Sequence, residues 1–405
     1  MPFFAVMAKP VGPLCNLSCS YCYYKEKVSL YPDVSTFVMP DTVLESFISQ
    51  YFSLNGSNGA DFSWQGGEPL LLGLDFFEKV IRLEKRYARG RRFSNTIQTN
   101  GTLINDNWCE FFTRNKILVG LSIDGPPDLH DLYRRDNQNN PTAHTVIAAA
   151  ALLSRHGVEF NTLTTISNAN AKRPLETYAF LKEISQGFIQ FIPLVERIPG
   201  PEAQSLGLSL DIPPGGGGDY GIEVTPWSVS PEDFGTFYTT IFDEWVRHDV
   251  GTVFVQLFDV TLANHLGAPP VVCYYSPDCG QAGVLEHNGD MYACDHFVYP
   301  ATKLGNIMTT DMETMLTGER QKAFGLAKSL ALPTCCTTCD VLFACHGECP
   351  KNRFAWTPDG EPGLNYLCAG YKHFFRHSGE AMQRMAQLLR SRQPASLIMD
   401  GNHTS

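Results

Sequence analysis

The chain has 405 residues, of which 43% are hydrophobic and 18% are charged, a composition typical of a globular protein with a sizeable core. It carries 31 Lys and Arg against 42 Asp and Glu, a formal net charge of −11. This balance argues against a nucleic-acid partner, because no cationic excess is present to neutralise phosphates. No apolar run approaches the ~20 residues of a membrane span, and no signal peptide is evident, so we expect a cytoplasmic protein without a membrane partner.

Short apolar runs alternate with helical patterns over the first half of the chain. The predicted strands are 3–8, 61–64, 94–98, 118–123, 159–166 and 188–192. The predicted helices between them are 40–52, 74–88, 105–114, 143–156 and 174–184. Strands that alternate with helices indicate an α/β fold with a parallel sheet. Six such units are too few for an eight-stranded barrel and predict a partial (β/α)6 TIM-type barrel.

The alternation stops after Val195. Segment 196–228 is rich in Pro and Gly and is predicted to be a partly mobile surface insertion, either a lid that faces the substrate or a tolerated linker. Helices are predicted over 231–248, 256–266 and 371–390, and a hairpin with a type I′ turn at Asn288-Gly289 over 285–292. The predicted domains are the barrel (1–228), connecting helices (229–270), a cysteine-rich domain (271–380), and a helix end with a flexible tail (381–405).

The thirteen cysteines are unevenly distributed. Three lie in the first 22 residues, Cys109 is isolated, and nine fall between Cys273 and Cys368. Disulfides are not expected in a reducing compartment. The crowding therefore predicts metal or cluster ligation at two separate places.

The first place is the loop Cys15-Asn16-Leu17-Ser18-Cys19-Ser20-Tyr21-Cys22. Three thiolates can hold three irons of a [4Fe-4S] cluster and leave the fourth iron open for a substrate or cofactor. On spacing alone, a zinc site completed by a distant His or Cys is the alternative.

The stretch Gln65-Gly66-Gly67-Glu68-Pro69 follows the second predicted strand. It should therefore lie at the same edge of the sheet as the cysteine loop, which follows the first strand. Paired glycines allow a close backbone approach to a ligand, and a carboxylate can bind a cationic amine. By itself, a plain turn is the simpler interpretation.

The second place offers eight thiolates, enough for two closed four-cysteine sites, which suit electron transfer better than substrate binding. They are Cys273, Cys279, Cys294, Cys336, Cys339, Cys345, Cys349 and Cys368. Cys335 and Cys109 are left over as ordinary cysteines. Two zinc ions are the alternative on the Cys336-x2-Cys339 spacing.

The C-x3-C-x2-C loop, with an aromatic residue before its last Cys and a Gly-Gly-Glu turn after the second strand, resembles the radical S-adenosylmethionine (SAM) superfamily. The resemblance implies that the amino and carboxylate groups of SAM bind the open iron, and that reduction of the cluster generates a 5′-deoxyadenosyl radical. The positions it assigns to SAM binding are Tyr21, Gly66, Gly67, Glu68, Ser122, Arg134 and Val195.

The later cysteines resemble the SPASM domain, which carries two auxiliary [4Fe-4S] clusters, so the resemblance implies three [4Fe-4S] clusters in all. It assigns Cys273, Cys279, Cys294 and Cys349 to one auxiliary cluster. It assigns Cys336, Cys339, Cys345 and Cys368 to the other. Spacing alone does not give this interleaving.

Further pieces resemble the anaerobic sulfatase-maturating enzymes. They include Lys9-Pro10, Gln98-Thr99-Asn100-Gly101, Ser122-Ile123-Asp124-Gly125-Pro126, Tyr292-Ala293-Cys294-Asp295 and Asn365-Tyr366-Leu367-Cys368. That resemblance implies a monomer that oxidises Cys or Ser in a C/S-x-P-x-R motif of a sulfatase to Cα-formylglycine without oxygen. Its electron donor would be a flavodoxin or ferredoxin.

In this family the residue after the third auxiliary cysteine is the proposed base, which implies that Asp295 removes the thiol or hydroxyl proton of the target. We expect the pKa of this carboxyl to be raised in a covered pocket. His296 is the competing base. Two alternatives remain open: a maturase that crosslinks a ribosomal peptide, and an electron carrier or zinc scaffold without SAM chemistry.

Overall fold

The structure is a computed structural model that describes residues 4–221 and 223–403. One ten-stranded sheet dominates this part of the chain. Its strands are β1 (Ala5–Lys9), β2 (Ala60–Trp64), β3 (Phe93–Thr99), β4 (Leu118–Ser122), β5 (Phe160–Ile166), β6 (Phe188–Pro193), β7 (Phe254–Val255), β8 (Ala282–Glu286), β9 (Asp290–Tyr292) and β10 (Lys303–Asn306). Their order across the sheet is β10-β9-β8-β1-β2-β3-β4-β5-β6-β7.

The prediction of an α/β fold with a parallel sheet is confirmed. Strands β8 and β1 to β7 form a continuous parallel array, which β9 and β10 extend as antiparallel strands. The six predicted strands coincide with β1 to β6, although the predicted start at Phe3 lies outside the described residues. The sheet is wider than six strands because β7 pairs with β6, and because β8, from the last third of the chain, pairs with β1 from Ala5↔Ala282 to Lys9↔Glu286.

The helices cover the sheet and build the C-terminal third. They are α1 (Asp41–Asn55), α2 (Gly73–Ala88), α3 (Asp106–Asn115), α4 (Pro127–Tyr133), α5 (Ala143–Arg155), α6 (Pro174–Ile184), α7 (Pro201–Ser205), α8 (Pro231–His248), α9 (Gln256–Leu266), α10 (Met312–Thr317), α11 (Glu319–Leu330), α12 (Thr334–Thr337), α13 (Leu342–Cys345) and α14 (Cys368–Arg390). Among the described residues, none of the helices is both long and apolar enough to cross a membrane.

Local sequence explains where two of these helices begin. The side chain of Asn105 accepts a hydrogen bond from the Trp108 backbone N–H and caps α3. Ser230 caps α8 in the same way, with Pro231 in the first helical position, where no backbone N–H is needed. Helix α14 starts at Cys368, three residues earlier than predicted, so this cysteine is held by a helix end.

The predicted hairpin in the last third of the chain forms from β8 and β9. Its turn is not type I′, because that turn needs positive φ at both central residues, and only Gly289 (φ +89°) has it in this loop. The Gly289 N–H instead donates to the Glu286 carbonyl over a three-residue loop, and the Asn288 side chain accepts from the Asp290 N–H. The hairpin lies beside β1 and so joins the C-terminal cysteine region to the main sheet.

Segment 196–228 is anchored to its surroundings at several points and is not simply a surface loop. Ala203, Leu208 and Ile212 are buried against Tyr299 in a small separate core. The Glu26 carboxylate accepts hydrogen bonds from the backbone N–H groups of residues 209 and 210 at 2.7 and 3.0 Å. The segment therefore packs against both the loop that follows the first three cysteines and the turn that follows β9.

Candidate active site at the carboxyl ends of the parallel strands

The loop with Cys15, Cys19 and Cys22 follows β1 and lies against the glycine pair that follows β2. The Glu68 N–H donates to the Leu14 carbonyl at 2.8 Å. A Cβ on Gly67 would lie 1.8 Å from that carbonyl oxygen, and Gly67 has φ +43°, so no other residue fits without a shift of the loop. The predicted juxtaposition of the two motifs is therefore present in the fold.

The three thiols of this loop can act together as ligands of a metal-containing group. Burial, with smaller contributions from the neighbouring thiolates, raises the pKa of Cys15 to about 11 and that of Cys19 to about 12. Buried thiols that raise one another's pKa are stable as thiolates only when a metal supplies positive charge. The donor set therefore fits a cluster held by three cysteines.

Glu68 is fully buried beside this loop. Its carboxylate accepts hydrogen bonds from the Leu70 N–H (3.0 Å), the Thr99 hydroxyl (2.8 Å) and the Asn100 N–H (2.8 Å). Burial outweighs these donors and raises the pKa of Glu68 to about 7. A cationic amine at this carboxylate would restore its charged form, as expected for a residue that binds an ammonium group.

Asn100 is a residue whose role the sequence did not reveal. Its side-chain N–H group lies 3.7 Å from the Cys15 sulfur, at hydrogen-bond distance for a sulfur acceptor. It also donates to the side-chain oxygen of Asn16 at 2.9 Å. The Leu17 N–H also donates to the Cys15 sulfur, at 3.3 Å. The position of Asn100 directly after β3 was the one signal in the sequence that it belongs to the site.

Tyr21 and Arg134 are buried together on a carboxylate that the sequence interpretation left without a role. The Asp124 carboxylate accepts from the Arg134 guanidinium at 2.8 and 3.3 Å, from the Tyr21 hydroxyl, and from the Thr165 N–H at 2.9 Å. Despite burial, the Arg134 charge lowers the pKa of Asp124. This network holds Arg134 beside Cys19, where the guanidinium charge opposes part of the rise that burial causes in the Cys19 pKa.

The remaining predicted SAM-contact positions lie at the same edge. Ser122 ends β4 and accepts from the Gln98 amide at 2.9 Å. Gly120 leaves room for that amide, since a Cβ there would lie 2.0 Å from the Gln98 side-chain oxygen. Val195 is buried just after β6, and its carbonyl accepts from Lys351 at 3.0 Å.

Asp295 links the two cysteine regions. Its carboxylate contacts the Lys9 ammonium at 2.5 Å and accepts from the Tyr23 hydroxyl at 2.6 Å. Tyr23 directly follows Cys22, whereas Asp295 directly follows Cys294. A proton acceptor therefore lies between the loop of three thiols and the second cysteine region.

The expectation of a raised pKa for Asp295 is wrong. Burial opposes its ionisation, but the Lys9 charge, with the Tyr23 hydrogen bond, outweighs burial and holds the pKa at about 2. Lys9 ends β1, and its stem lies over Gly66, where a Cβ would be 2.4 Å from the Lys9 Cδ. No local pattern in the sequence indicates this ion pair, because its partners are far apart in the chain.

The competing base, His296, lies next to Asp295. Burial, together with the charge of Lys351, lowers the pKa of His296 to about 4, so its imidazole is neutral. Its Nδ1 is buried without a hydrogen-bond partner.

The C-terminal cysteines lie in two groups. Cys273 and Cys279 add to burial in raising the pKa of Cys294, and Cys294 and Cys273 do the same for Cys349. The other predicted set lines one cavity, formed by Cys335, Cys336, Cys339, Cys345 and Cys368 with Val341, Leu342, Gly347, Leu364, Asn365 and Lys372. In the described part of the chain, no group of three or more His, Cys, Asp and Glu side chains is placed to hold a single metal ion. A cavity lined by separated thiols suits a larger group, such as an iron–sulfur cluster.

Cys109 is an ordinary core cysteine, as predicted. It is fully buried among the aromatic side chains of α3, which include Trp108 and Phe112. Cys335 differs, because it lines the cavity of the second predicted set.

Residues 10–181 match the model of the radical SAM superfamily, and residues 279–340 match that of the SPASM iron–sulfur cluster-binding domain. The fold and the site thus define a radical SAM enzyme that binds iron–sulfur clusters and SAM.

The relatives narrow the family. The chain is 49% identical to the serine-type anaerobic sulfatase-maturating enzyme of Bacteroides thetaiotaomicron, over 97% of this chain and 94% of that one. It is 32% identical to a cysteine-type enzyme of Clostridium perfringens, over 93% and 97%. It also matches the solved structure of native anSMEcpe with bound AdoMet and Cp18Cys peptide, at 31% identity, with TM-score 0.80 and coverage of 95% and 99%. The chain belongs to the family of anaerobic sulfatase-maturating enzymes.

Proposed function

We propose that the chain oxidises a side chain in a C/S-x-P-x-R motif of a sulfatase polypeptide to Cα-formylglycine under anaerobic conditions, with Ser as the preferred target. The observation that carries this proposal is the position of Asp295 between the two cysteine regions. The relatives named serine-type, at 49% and 34% identity, are more similar to this chain than those named cysteine-type, at 32% and 30%. This order supports Ser over Cys.

The proposed site assigns each group to its residues. Cys15, Cys19 and Cys22 hold the cluster with the open iron. One auxiliary cluster takes Cys273, Cys279, Cys294 and Cys349, and the other takes Cys336, Cys339, Cys345 and Cys368, three [4Fe-4S] clusters in all. SAM lies against Tyr21, Gly66, Gly67, Glu68, Ser122, Arg134 and Val195. When bound, these groups supply the hydrogen-abstracting radical and the acceptor for the last electron.

The protein's own residues handle the proton. Conversion of a serine side chain to an aldehyde removes a hydrogen atom from Cβ, a proton from the hydroxyl group, and one electron. Asp295 is ionised and its side chain is only 19% exposed, so it can accept the hydroxyl proton in a largely covered site. A cysteine target loses the same particles from Cβ and Sγ to give a thioaldehyde, which water hydrolyses to the aldehyde and hydrogen sulfide.

Lys9 and Tyr23 hold the Asp295 carboxylate between the two cysteine regions. Each contacts a different carboxylate oxygen, at 2.5 and 2.6 Å. Segment 196–228 closes one side of this region, and Lys351 binds it through Glu196 at 2.5 Å. These contacts keep the proton acceptor in one orientation when a peptide enters.

We further propose that the enzyme works as a cytoplasmic monomer reduced by a flavodoxin or ferredoxin. None of its thirteen cysteines, all of which lie in the described residues, forms a disulfide, as suits a reducing compartment.

The test of the proposed function is anaerobic incubation with SAM, a reductant and two short peptides that differ only in Ser or Cys at the target position. We expect the Ser peptide to lose two hydrogens and to react with an aldehyde-specific hydrazide, faster than the Cys peptide forms aldehyde. SAM cleavage with a crosslinked peptide would instead support the peptide-maturase alternative. Faster conversion of the Cys peptide would contradict the preference for Ser and leave the reaction itself intact.

A further inference from the structure

Five thiols, not four, line the cavity of the second predicted auxiliary set. They belong to Cys335, Cys336, Cys339, Cys345 and Cys368. A [4Fe-4S] cluster takes four cysteines, one for each iron, so one thiol of the five is in excess. We propose that Cys335 and Cys336 are interchangeable ligands of the cluster in this cavity, so that either thiol completes its set of four.

The two cysteines sit side by side on one short turn. They are consecutive in α12, and the Cys336 N–H donates to the Pro333 carbonyl at 2.9 Å. Consecutive Cα atoms are about 3.8 Å apart, and both side chains border the same cavity. A rotation of the turn by one residue, about 100°, brings one sulfur to the place of the other. Glu361 anchors the start of the turn, because its carboxylate accepts from the Thr334 N–H at 2.6 Å and from the Thr334 hydroxyl at 2.8 Å.

Cys335 is also next to more than one member of the set. It lines the same cavity as Cys336, Cys339, Cys345 and Cys368. The spare thiol therefore faces the same group of sulfurs that its neighbour faces.

Cys109 shows that a cysteine without a predicted ligand role does not have to line a predicted cluster cavity. Cys109 also has no predicted ligand role, yet it lies in the aromatic core. Of the two cysteines left over by the sequence, only Cys335 lines the cavity of a predicted cluster.

The surroundings can accommodate either ligand. Lys372 lines the cavity, and the buried Arg353 lies next to it, hydrogen-bonded to the lining residue Gly347. The guanidinium of Arg353 donates to the carbonyls of Gly347 and His346, both at 2.8 Å, which keeps its charge beside the thiols. A fixed positive charge stabilises a thiolate from either residue of the turn.

This inference rests on the proposed function, in that the cavity holds one of three clusters. The experiment compares the reconstituted full-length wild-type chain with Cys335→Ala, Cys336→Ala, Cys345→Ala and the double variant Cys335→Ala/Cys336→Ala. Iron and acid-labile sulfide are counted in each, and Cys109→Ala serves as the control for loss of a core cysteine. Cys345→Ala is the matched control, because it removes a predicted ligand that has no cysteine next to it in the chain.

We expect about twelve irons in the wild type and in both single variants of the turn, and about eight in the double variant and in Cys345→Ala. In Cys336→Ala, redox titration followed by electron paramagnetic resonance should show one auxiliary cluster with a shifted potential, since the new sulfur has different hydrogen bonds. If the double variant misfolds, the contrast between Cys336→Ala and Cys345→Ala still decides the question.

The contrary outcomes are distinct. About eight irons in Cys336→Ala, with twelve in Cys335→Ala, would show that Cys335 cannot replace its neighbour. The reverse result would make Cys335 the sole ligand, and twelve irons in the double variant would remove both residues from the set. A wild-type count of about eight would overturn the three-cluster proposal as well, whereas twelve in the wild type confines any failure to the interchange.

Discussion

The two cysteine regions differ in how they are built and in the charges around them. The first consists of three thiols on one loop, held by the ends of parallel strands and by the buried carboxylate of Glu68. The second consists of thiols on short helices and turns, with the buried cations Lys328 and Arg353 among them. Each region also holds the opposite kind of charge or a further cation, since Arg134 lies beside Cys19 in the first and the buried Glu348 carboxylate lies beside Cys349 in the second. The charges alone therefore do not set the direction of electron transfer between the regions.

The two regions also differ in the number of thiols in each set and in the elements that carry them. Three ligands on a strand-end loop leave a place for a cofactor, whereas sets of four close their sites. In a parallel sheet the strand-end loops are where ligands bind, because side chains from several strands meet there. Asp295 matters because it belongs to the second region by sequence and to the first region by contact.

The most severe change is expected from Cys19→Ala. It removes one of only three ligands of the first region, so we expect about eight irons and no detectable 5′-deoxyadenosine from SAM. Cys345→Ala is the counterpart in the second region, and it should also bind about eight irons but still cleave SAM. Chromatographic assay of 5′-deoxyadenosine checks the difference, and SAM cleavage by Cys19→Ala would refute the division of roles.

Asp295→Asn tests the residue that connects the regions. We expect aldehyde formation to fall by about 10²- to 10⁴-fold, as for loss of a general base, with the cluster content unchanged and SAM still cleaved. Peptide mass spectrometry and the 5′-deoxyadenosine assay measure the two steps separately. His296→Gln is the matched control, and a larger loss in that variant would transfer the role of base to His296.

Lys9→Met removes the cation that holds Asp295. Breaking one side of a buried ion pair should destabilise the chain by about 3–5 kcal/mol, because an uncompensated carboxylate stays buried. Chemical denaturation under anaerobic conditions measures this, and the Lys9→Met/Asp295→Asn double variant should recover much of the loss. Additive destabilisation in the double variant would show that the two residues are not coupled.

Glu68→Gln should act on the first region alone. Replacing the carboxylate weakens a hydrogen bond to a charged amine, which is worth about 1.5–3 kcal/mol, so SAM affinity should fall by roughly tenfold to a hundredfold. Equilibrium binding of SAM to the reconstituted enzyme gives this number. An unchanged affinity would place the SAM ammonium group away from Glu68.

The smallest effect is expected from Asn100→Ala, which removes one donor to the Cys15 sulfur. A net loss of about 1 kcal/mol from the reduced state would lower the potential of the first cluster by about 40 mV. Redox titration of that cluster measures the shift. Thr102→Val is the control, since Thr102 contacts Asn16 and Asn100 but not the sulfur, and an equal shift there would exclude a direct effect of the amide on Cys15.

Much of the fold was predictable because its signals are local. The apolar runs of β1 to β6 and the stripe of α8 (Phe234, Phe237, Ile241, Phe242 and Trp245) specify conformation and burial within one segment. The turn of the hairpin was mispredicted, since Asn-Gly is compatible with both a two-residue loop and a three-residue loop, and the register between strands decides which forms.

The candidate site was predictable to the extent that its residues follow strands or belong to cysteine motifs. The three cysteines met both conditions, and Glu68 met the first. Asp124 and Asn100 follow strands, but nothing local shows that one holds Arg134 or that the other reaches Cys15. Such contacts depend on which loops become neighbours at the edge of the sheet.

By itself, the sequence determined the alternation of strands and helices and the two cysteine regions, and through family resemblance it singled out Asp295 as the candidate base. Only the tertiary structure decided that β8 lies beside β1, that Lys9 binds Asp295, and that Cys335 shares a cavity with four predicted ligands. The physical reason is that periodicity records burial along one segment. Which distant segment covers it is settled by the packing of the whole chain.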